Sequence, residues 1–168
     1  TDGQAVKIVY SDATNGWIPI TDEDVVDVPE APSANSNGIF AFGWIVGAQN
    51  MSNIVSSAGV VATDVSGVGT ARRFSSGVEY GNDKGIIGWG SSASDDRTDI
   101  TNLISNTGVV ATDVTGVGSG RRYQGGATYG GDKGIFAYGQ DDSGTMSLSN
   151  LVSNTGVVGT DVTGVGTA

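Results

Sequence analysis

Short runs in which apolar and polar residues alternate, each closed by glycine, asparagine or aspartate, recur along this chain. Alternation with period two puts one set of side chains on one face of a pleated strand, so each run predicts a strand and each closing cluster a turn. Residues 6–10 and 17–20 flank an Asn15-Gly16 turn signal and predict a hairpin. Farther on, residues 76–80 read as a strand, 81–83 as a turn and 84–90 (KGIIGWG) as a buried strand. After a polar loop, 99–106 and 109–113 read as a third strand, bent or bulged at Gly108, and 117–122 as a fourth.

The pattern is itself repeated. Residues 57–84 match 106–133 at 17 of 28 positions, and 151–166 match 103–118 at 14 of 16, at a spacing of 48 to 49 residues. Self-similarity this close marks a stack of one supersecondary unit, because a single copy cannot bury its own apolar face. Four antiparallel strands in such a unit predict a propeller blade, and a β-trefoil-like three-repeat barrel is the alternative with the same strand count. The expected organisation is a small β module over residues 1–30, a linker rich in Pro, Ser and Asn over 31–37, and a repeat domain over 38–168. Its units are about 38–84, 85–133 and 134–168. A propeller closes with 4–8 blades, so the ring is expected to be incomplete or completed by other subunits.

Composition narrows the fold class to all-β. Val (21), Ile (11) and Thr (16) far outnumber Leu (3), and β-branched side chains suit pleated surfaces while losing rotamer freedom in helices. The 28 glycines sit at recurring positions, which assigns them to turns and close backbone approaches rather than to a flexible tract.

Charge and missing residue types exclude several functions. A formal charge of −10, with eight Lys and Arg against 18 acids, leaves no cationic surface for nucleic acid or an anionic membrane. Histidine and cysteine are both absent, which excludes Ser-His-Asp and Cys-His catalysis, His and thiolate zinc sites, and disulfides. No apolar stretch is long enough to insert into a bilayer. Near-identical copies cannot each hold a differentiated active site, so neither an enzyme nor a cofactor is expected.

The recurring charged residues are Arg72-Arg73 and Arg121-Arg122, then Asp64, Asp113 and Asp161, then Asp83-Lys84 and Asp132-Lys133. Recurrence in every copy is what scaffold contacts do, and an unpaired buried arginine would be costly, so these are expected to fix register between units. Asp95, Asp96 and Asp99 share one polar loop, and Asp141 and Asp142 the equivalent loop of the next copy. They are the candidate metal ligands, but neither loop has the spacing of a calcium motif, and solvated charge is the default reading. Asn50-Met51-Ser52 is a glycosylation sequon, relevant only in a secretory setting. Val6, Ile8 and Tyr10 lie on the strand expected to drive assembly by adding to an open sheet edge.

The order of a small apolar strand, a Gly-Asn-Asp-Lys or Gly-Gly-Asp-Lys turn and an aromatic strand ending in glycine (GIIGWG, GIFAYG) resembles a kelch-type propeller blade. Gly90 and Gly139 stand alone where a kelch blade has a glycine doublet, and the later Tyr and Trp are missing. NLVSNTGVVGTDVTGVGTA, YGGDKGIFAYG and the leading KIVYSDATNGWIPI resemble repeats and a small β module of tailed-bacteriophage virion proteins, especially tail fibres and appendages. The resemblance implies a non-enzymatic structural subunit of a virion or extracellular assembly. Its partners would be copies of itself, other virion proteins and cell-surface glycans. Two other readings are a carbohydrate-binding module using Trp44, Trp89 and Tyr138, and a fibril subunit polymerised by insertion of its N-terminal strand.

Overall fold

The computed structural model describes residues 8–14, 16–19, 36–164 and 166–167, so Val6 of the expected assembly strand lies outside them. Every regular element among the described residues is a strand, as the β-branched composition requires. The chain divides into two compact units, Thr1–Ala34 and Asn35–Ala168. In the first, β1 (Ile8–Asp12) and β2 (Gly16–Pro19) form an antiparallel hairpin with Ile8 opposite Pro19 and Tyr10 opposite Trp17. Gly16 supplies the positive φ (+64°) that the turn needs. Ile8 and Tyr10 therefore already have a strand partner on one side. Tyr10 stays exposed with its ring edge-on to Trp17 at 5.4 Å.

The second unit contains three small antiparallel sheets. β3 (Gly38–Trp44) pairs with β4 (Ala48–Val55). β5 (Ser76–Tyr80), β6 (Lys84–Ser91) and β7 (Arg97–Ile104) lie in that order, and β8 (Gly125–Tyr129), β9 (Lys133–Ala137) and β10 (Ser149–Val152) repeat the arrangement. No sheet closes into a barrel among the described residues, so the trefoil-like alternative does not form.

Two strand assignments are corrected. Residues 109–113 do not continue β7 through a bend. After β7 the chain reverses and runs back beside it, touching at the isolated bridges Ile104 with Val110 and Thr101 with Val114. The bridges Val55 with Val61, Ser52 with Val65, Val152 with Val158 and Ser149 with Val162 repeat this in the other copies. The residues expected as a fourth strand, 117–122, form no strand: the chain bends at 117–118 and touches a neighbour at the single bridge Arg122 with Gln140.

The reversal depends on glycine. Gly59, Gly108 and Gly156 sit at φ +77°, +80° and +81°, in the left-handed region where an L-residue pays about 1–2 kcal/mol. A Cβ on Gly108 would also lie 2.4 Å from Ile54 Cδ1, and one on Gly156 2.9 Å from Leu103 Cδ2 and Tyr80 Cζ, whereas Gly59 faces open space. Gly59→Val is therefore expected to cost about 1–2 kcal/mol, and Gly108→Val and Gly156→Val about 1–3 kcal/mol more through overpacking. Urea unfolding of the three variants checks the order, and equal losses at all three sites would rule out the steric part.

The core lies where the sheet of β5–β7 meets the sheet of β8–β10. Val78, Tyr80, Ile86 and Trp89 from the first pack with Phe136 and Val152 from the second, and Leu103 and Val158 close the edges. Phe136 stacks at 4.9 Å from Trp89, tilted by 57°. Neither sheet could cover these residues alone, which is the physical reason for the repeat.

Candidate functional site

An aromatic-glycine pair near the end of the second strand of each copy has both residues at positive φ: Phe42-Gly43 (+65°, +117°), Trp89-Gly90 (+57°, +108°) and Tyr138-Gly139 (+62°, +108°). In the first two copies the ladder register shifts at this pair, which makes it a β-bulge. The freed glycine N–H then bonds to the returning coil, Gly43 to the Arg72 carbonyl at 2.9 Å and Gly90 to the Arg121 carbonyl at 2.8 Å. That bond sets each arginine over the aromatic ring. Arg72 stands 3.8 Å from the Phe42 centroid and Arg121 4.4 Å from that of Trp89.

Both arginines are fully buried and face the following copy. Arg72 lies 3.9 Å from Asp113 and Arg121 3.8 Å from Asp161. Each aspartate also accepts hydrogen bonds from the preceding coil. Thr70 donates its N–H (2.9 Å) and hydroxyl (2.7 Å) to Asp113, and Ser119 donates the same pair to Asp161 at 2.9 and 2.8 Å. An asparagine holds each carboxylate from its own sheet, Asn102 on Asp113 and Asn150 on Asp161, both at 2.9 Å. Glycines leave room for the contact, since a Cβ on Gly69 or Gly118 would fall 2.3 or 2.1 Å from the carboxylate oxygen. Asp113 and Asp161 thus each join one unit to the next, and recurring polar residues serve as joints.

Burial pushes the Asp113 and Asp161 carboxyls up, but the donated hydrogen bonds outweigh it and hold both below the usual carboxylate range. Burial lowers Arg72 to about 10, with Asp113 pulling it back up, so it remains cationic at neutral pH. A depressed carboxylate stabilises the fold above its unfolded pKa, about 4, and that stability is lost as pH falls through the folded value. Unfolding free energy is expected to fall in acid below about pH 4. The fall should be shallower in the Asp113→Asn, Asp161→Asn double variant, and identical acid profiles would refute the joint.

Asp95, a candidate metal ligand, is instead bound by arginine. Arg73 donates to it at 2.8 Å, Arg122 bonds both its oxygens at 3.1 Å, and Arg97 lies 3.3 Å away. The Arg73 hydrogen bond is the main reason its carboxyl is held low. Asp142 pairs with Arg97 at 3.2 Å, Asp141 accepts the Ser143 and Gly144 N–H groups, and Asp96 accepts the Ser92 hydroxyl. Among the described residues no group of three acids could hold a metal, and Asp99 joins none. Asp83 and Asp132 pair with their neighbours Lys84 and Lys133. Asn50 of the sequon is half-buried and donates its side-chain amide to the carbonyl oxygens of Gly67 and Gly69.

The three candidate sugar-stacking aromatics separate. Trp89 is fully buried and donates its indole N–H to the Ser119 carbonyl, whereas Trp44 and Tyr138 are half exposed. Sequence reasoning missed two further surface aromatics, Phe74 and Tyr123, at φ +60° and +59° with centroids 4.5 Å apart. The signal available was the aromatic after each Arg-Arg. Arg73 bridges Trp44 and Phe74, at 4.2 and 5.0 Å from their centroids, and Arg122 lies 5.0 Å from that of Tyr123.

A cavity of about 450 Å³ opens between β3 and the β5–β6 pair, with Phe40, Ile54, Val78 and Ile104 on its walls. Gly77 and Gly85 border it. Their counterparts in the next copy, Gly126 and Gly134, are pressed against Val78 of β5, where a Cβ would meet it at 2.6 and 2.5 Å. No described strand pairs with the edge of β3 that bears the cavity.

The described residues define an all-β protein of several small antiparallel sheets. No known protein family matches the chain, and no curated protein is significantly similar to it.

Proposed function

We propose that this chain is a non-enzymatic structural subunit of an extracellular assembly, of the kind found in phage tail fibres or virion appendages, with its units acting as kelch-like blades. The observation that carries this reading is the use of the recurring charged residues: Arg72 and Arg121 with Asp113 and Asp161 serve to hold one copy of the unit on the next. A molecule whose polar groups of highest cost fix the stacking of repeats is suited to bearing load and presenting variable loops. Immunoelectron microscopy of native particles, with antibody raised against residues 57–133, tests it. Labelling is expected on fibres or appendages, and label confined to free protein would refute the role.

A second reading is supported by Trp44 and Tyr138, which are half exposed, with Arg73 lying over one face of the Trp44 ring. Aromatic faces of this kind stack on sugars. Glycan binding that is lost in Trp44→Ala but kept in Trp89→Phe would favour it. The open edge of β3 beside the cavity supports strand insertion as one mode of assembly.

A further inference from the structure

The strand β5 fits into the copy that follows it through two residues. Val78 lies where a Cβ on Gly126 or Gly134 would meet it at 2.6 or 2.5 Å, and Tyr80 where one on Gly156 would come within 2.9 Å of its ring. Both are buried, at 9% and 4% exposure. One copy earlier the same three glycine positions are Gly77, Gly85 and Gly108, and all three border the cavity of about 450 Å³ beside β3. A Cβ on Gly108 would meet only Ile54, and the nearest atom to one on Gly85 is Ile104 Cδ1 at 3.5 Å. Among the described residues, then, no valine or tyrosine from a strand beside β3 presses on these glycines, and the space that β5 fills in the next copy stands open here.

A strand with the matching order is β1. Ile8-Val9-Tyr10 places a β-branched aliphatic residue two positions before a tyrosine, as Val78-Glu79-Tyr80 does in β5. Among the described residues β1 is paired on one edge only, to β2. Opposite Ile8 stands Pro19, which has no N–H to give, so Ile8 and Pro19 are not a hydrogen-bonded pair of that ladder. The two kinds of pair alternate along an antiparallel ladder, so Ile8 and Tyr10 turn their backbone N–H and C=O groups to the free edge. Gly38 faces Val55 as Gly85 faces Ile104, which equates Ile39 with Ile86 and Asn37 with Lys84. Val78 faces Ile86 and Tyr80 faces Lys84. The register of β5 on β6 therefore puts Ile8 opposite Ile39 and Tyr10 opposite Asn37.

We propose that β1 of a second copy of this chain adds antiparallel to the open edge of β3, with Ile8 at the position of Val78 between Gly77 and Gly85 and Tyr10 at the position of Tyr80 beside Gly108. This names the strand and the register for the strand-insertion mode of assembly above, and it rests on that reading. Main-chain hydrogen bonds along the edge supply affinity, and the glycine-lined cleft supplies specificity for the residues at alternate positions. Each copy brings one strand and one cleft. Because the two surfaces differ, the contact is heterologous and closes a ring or grows an open filament rather than stopping at a two-fold dimer.

Sedimentation of the full chain over a broad concentration range, near physiological ionic strength, tests this. The weight-average mass is expected to rise with concentration. Gly85→Val fills the cleft, and because a Cβ there meets only ordinary contacts from 3.5 Å outward it should leave the unfolding midpoint unchanged. Tyr10→Ser removes an exposed aromatic from the donor strand. Each variant should raise the dissociation constant at least about ten-fold, as loss of a central tyrosine or of its pocket does at other interfaces. An equimolar mixture of the two keeps one intact strand and one intact cleft and should form heterodimers that grow no further. A wild-type chain that stays monomeric at every concentration, or either variant associating like wild type, would overturn the proposal. Particle labelling reports on the structural role independently, so failure here and failure of that role are distinguishable.

Discussion

Gly116→Ala is expected to keep the repeat domain from its native packing, at a cost of at least about 3 kcal/mol. The returning coil crosses the third strand of its own unit so closely that a Cβ on Gly116 would lie 1.6 Å from the Asp99 carbonyl oxygen. Gly67 and Gly164 make the same crossing, at 1.3 Å from the Asn50 carbonyl oxygen and 1.4 Å from that of Ser147. The obstacle in each case is backbone, which cannot rotate away as a side-chain tip can, and none of the three glycines has a positive φ. The requirement is therefore for space, unlike that at Gly59. Circular dichroism melting compares Gly116→Ala with Gly47→Ala, a glycine with no positive φ and nothing within 4 Å. A native-like melt for Gly116→Ala would mean that the coil does not cross there.

Asp161→Ala is expected to destabilise the fold by about 3 kcal/mol, because it strands a fully buried guanidinium. Arg121 would keep its bonds to Asn150 Oδ1 (2.6 Å) and the Ser119 carbonyl (3.3 Å), neither of which carries charge. Asp113→Ala should behave alike through Arg72, which bonds the carbonyl oxygens of Thr70 and Ile87. Asp64→Ala should fall within about 0.5 kcal/mol of wild type, as exposed substitutions usually do. Three aspartates that look alike in the sequence thus separate into two large effects and one near zero. Urea unfolding measures all three, and a loss at Asp64 equal to the others would refute the assignment of the joints.

The sequence was most legible where period-two alternation met a turn signal. Residues 76–80 form β5 as expected, and β6 overruns its expected end by one residue, to Ser91. Positive φ at Gly108 and its equivalents was also readable, because glycine there interrupts a β-branched run. The direction of the chain after that glycine was not. A Val-Val pair fits a strand that continues as well as one that turns back, and only the bridges to Ile104 and Thr101 distinguish them. The aromatic bulge escaped notice because a single glycine after Trp89 reads as the end of a strand.

The Arg-Arg pairs illustrate a further limit. Consecutive residues on an extended chain point to opposite sides, so Arg72 enters the joint while Arg73 lies over Trp44. Sequence identifies the pair as recurring but gives the two members one role. The acid loop misled for the same reason in reverse. Asp95 reads as a free carboxylate until the coils bring Arg73 and Arg122 to it from 22 and 27 residues away.

Apart from Lys7, which lies outside the described residues, every lysine and arginine sits within 3.9 Å of a carboxylate of its own chain. The cations are therefore neutralised internally, and the field that one molecule presents to another is that of its surplus acids. Two copies approaching in dilute buffer repel each other beyond contact range, and salt shortens that repulsion to a Debye length of about 8–10 Å near physiological strength. Encounter between copies should accelerate as ionic strength rises, the reverse of the behaviour of oppositely charged partners.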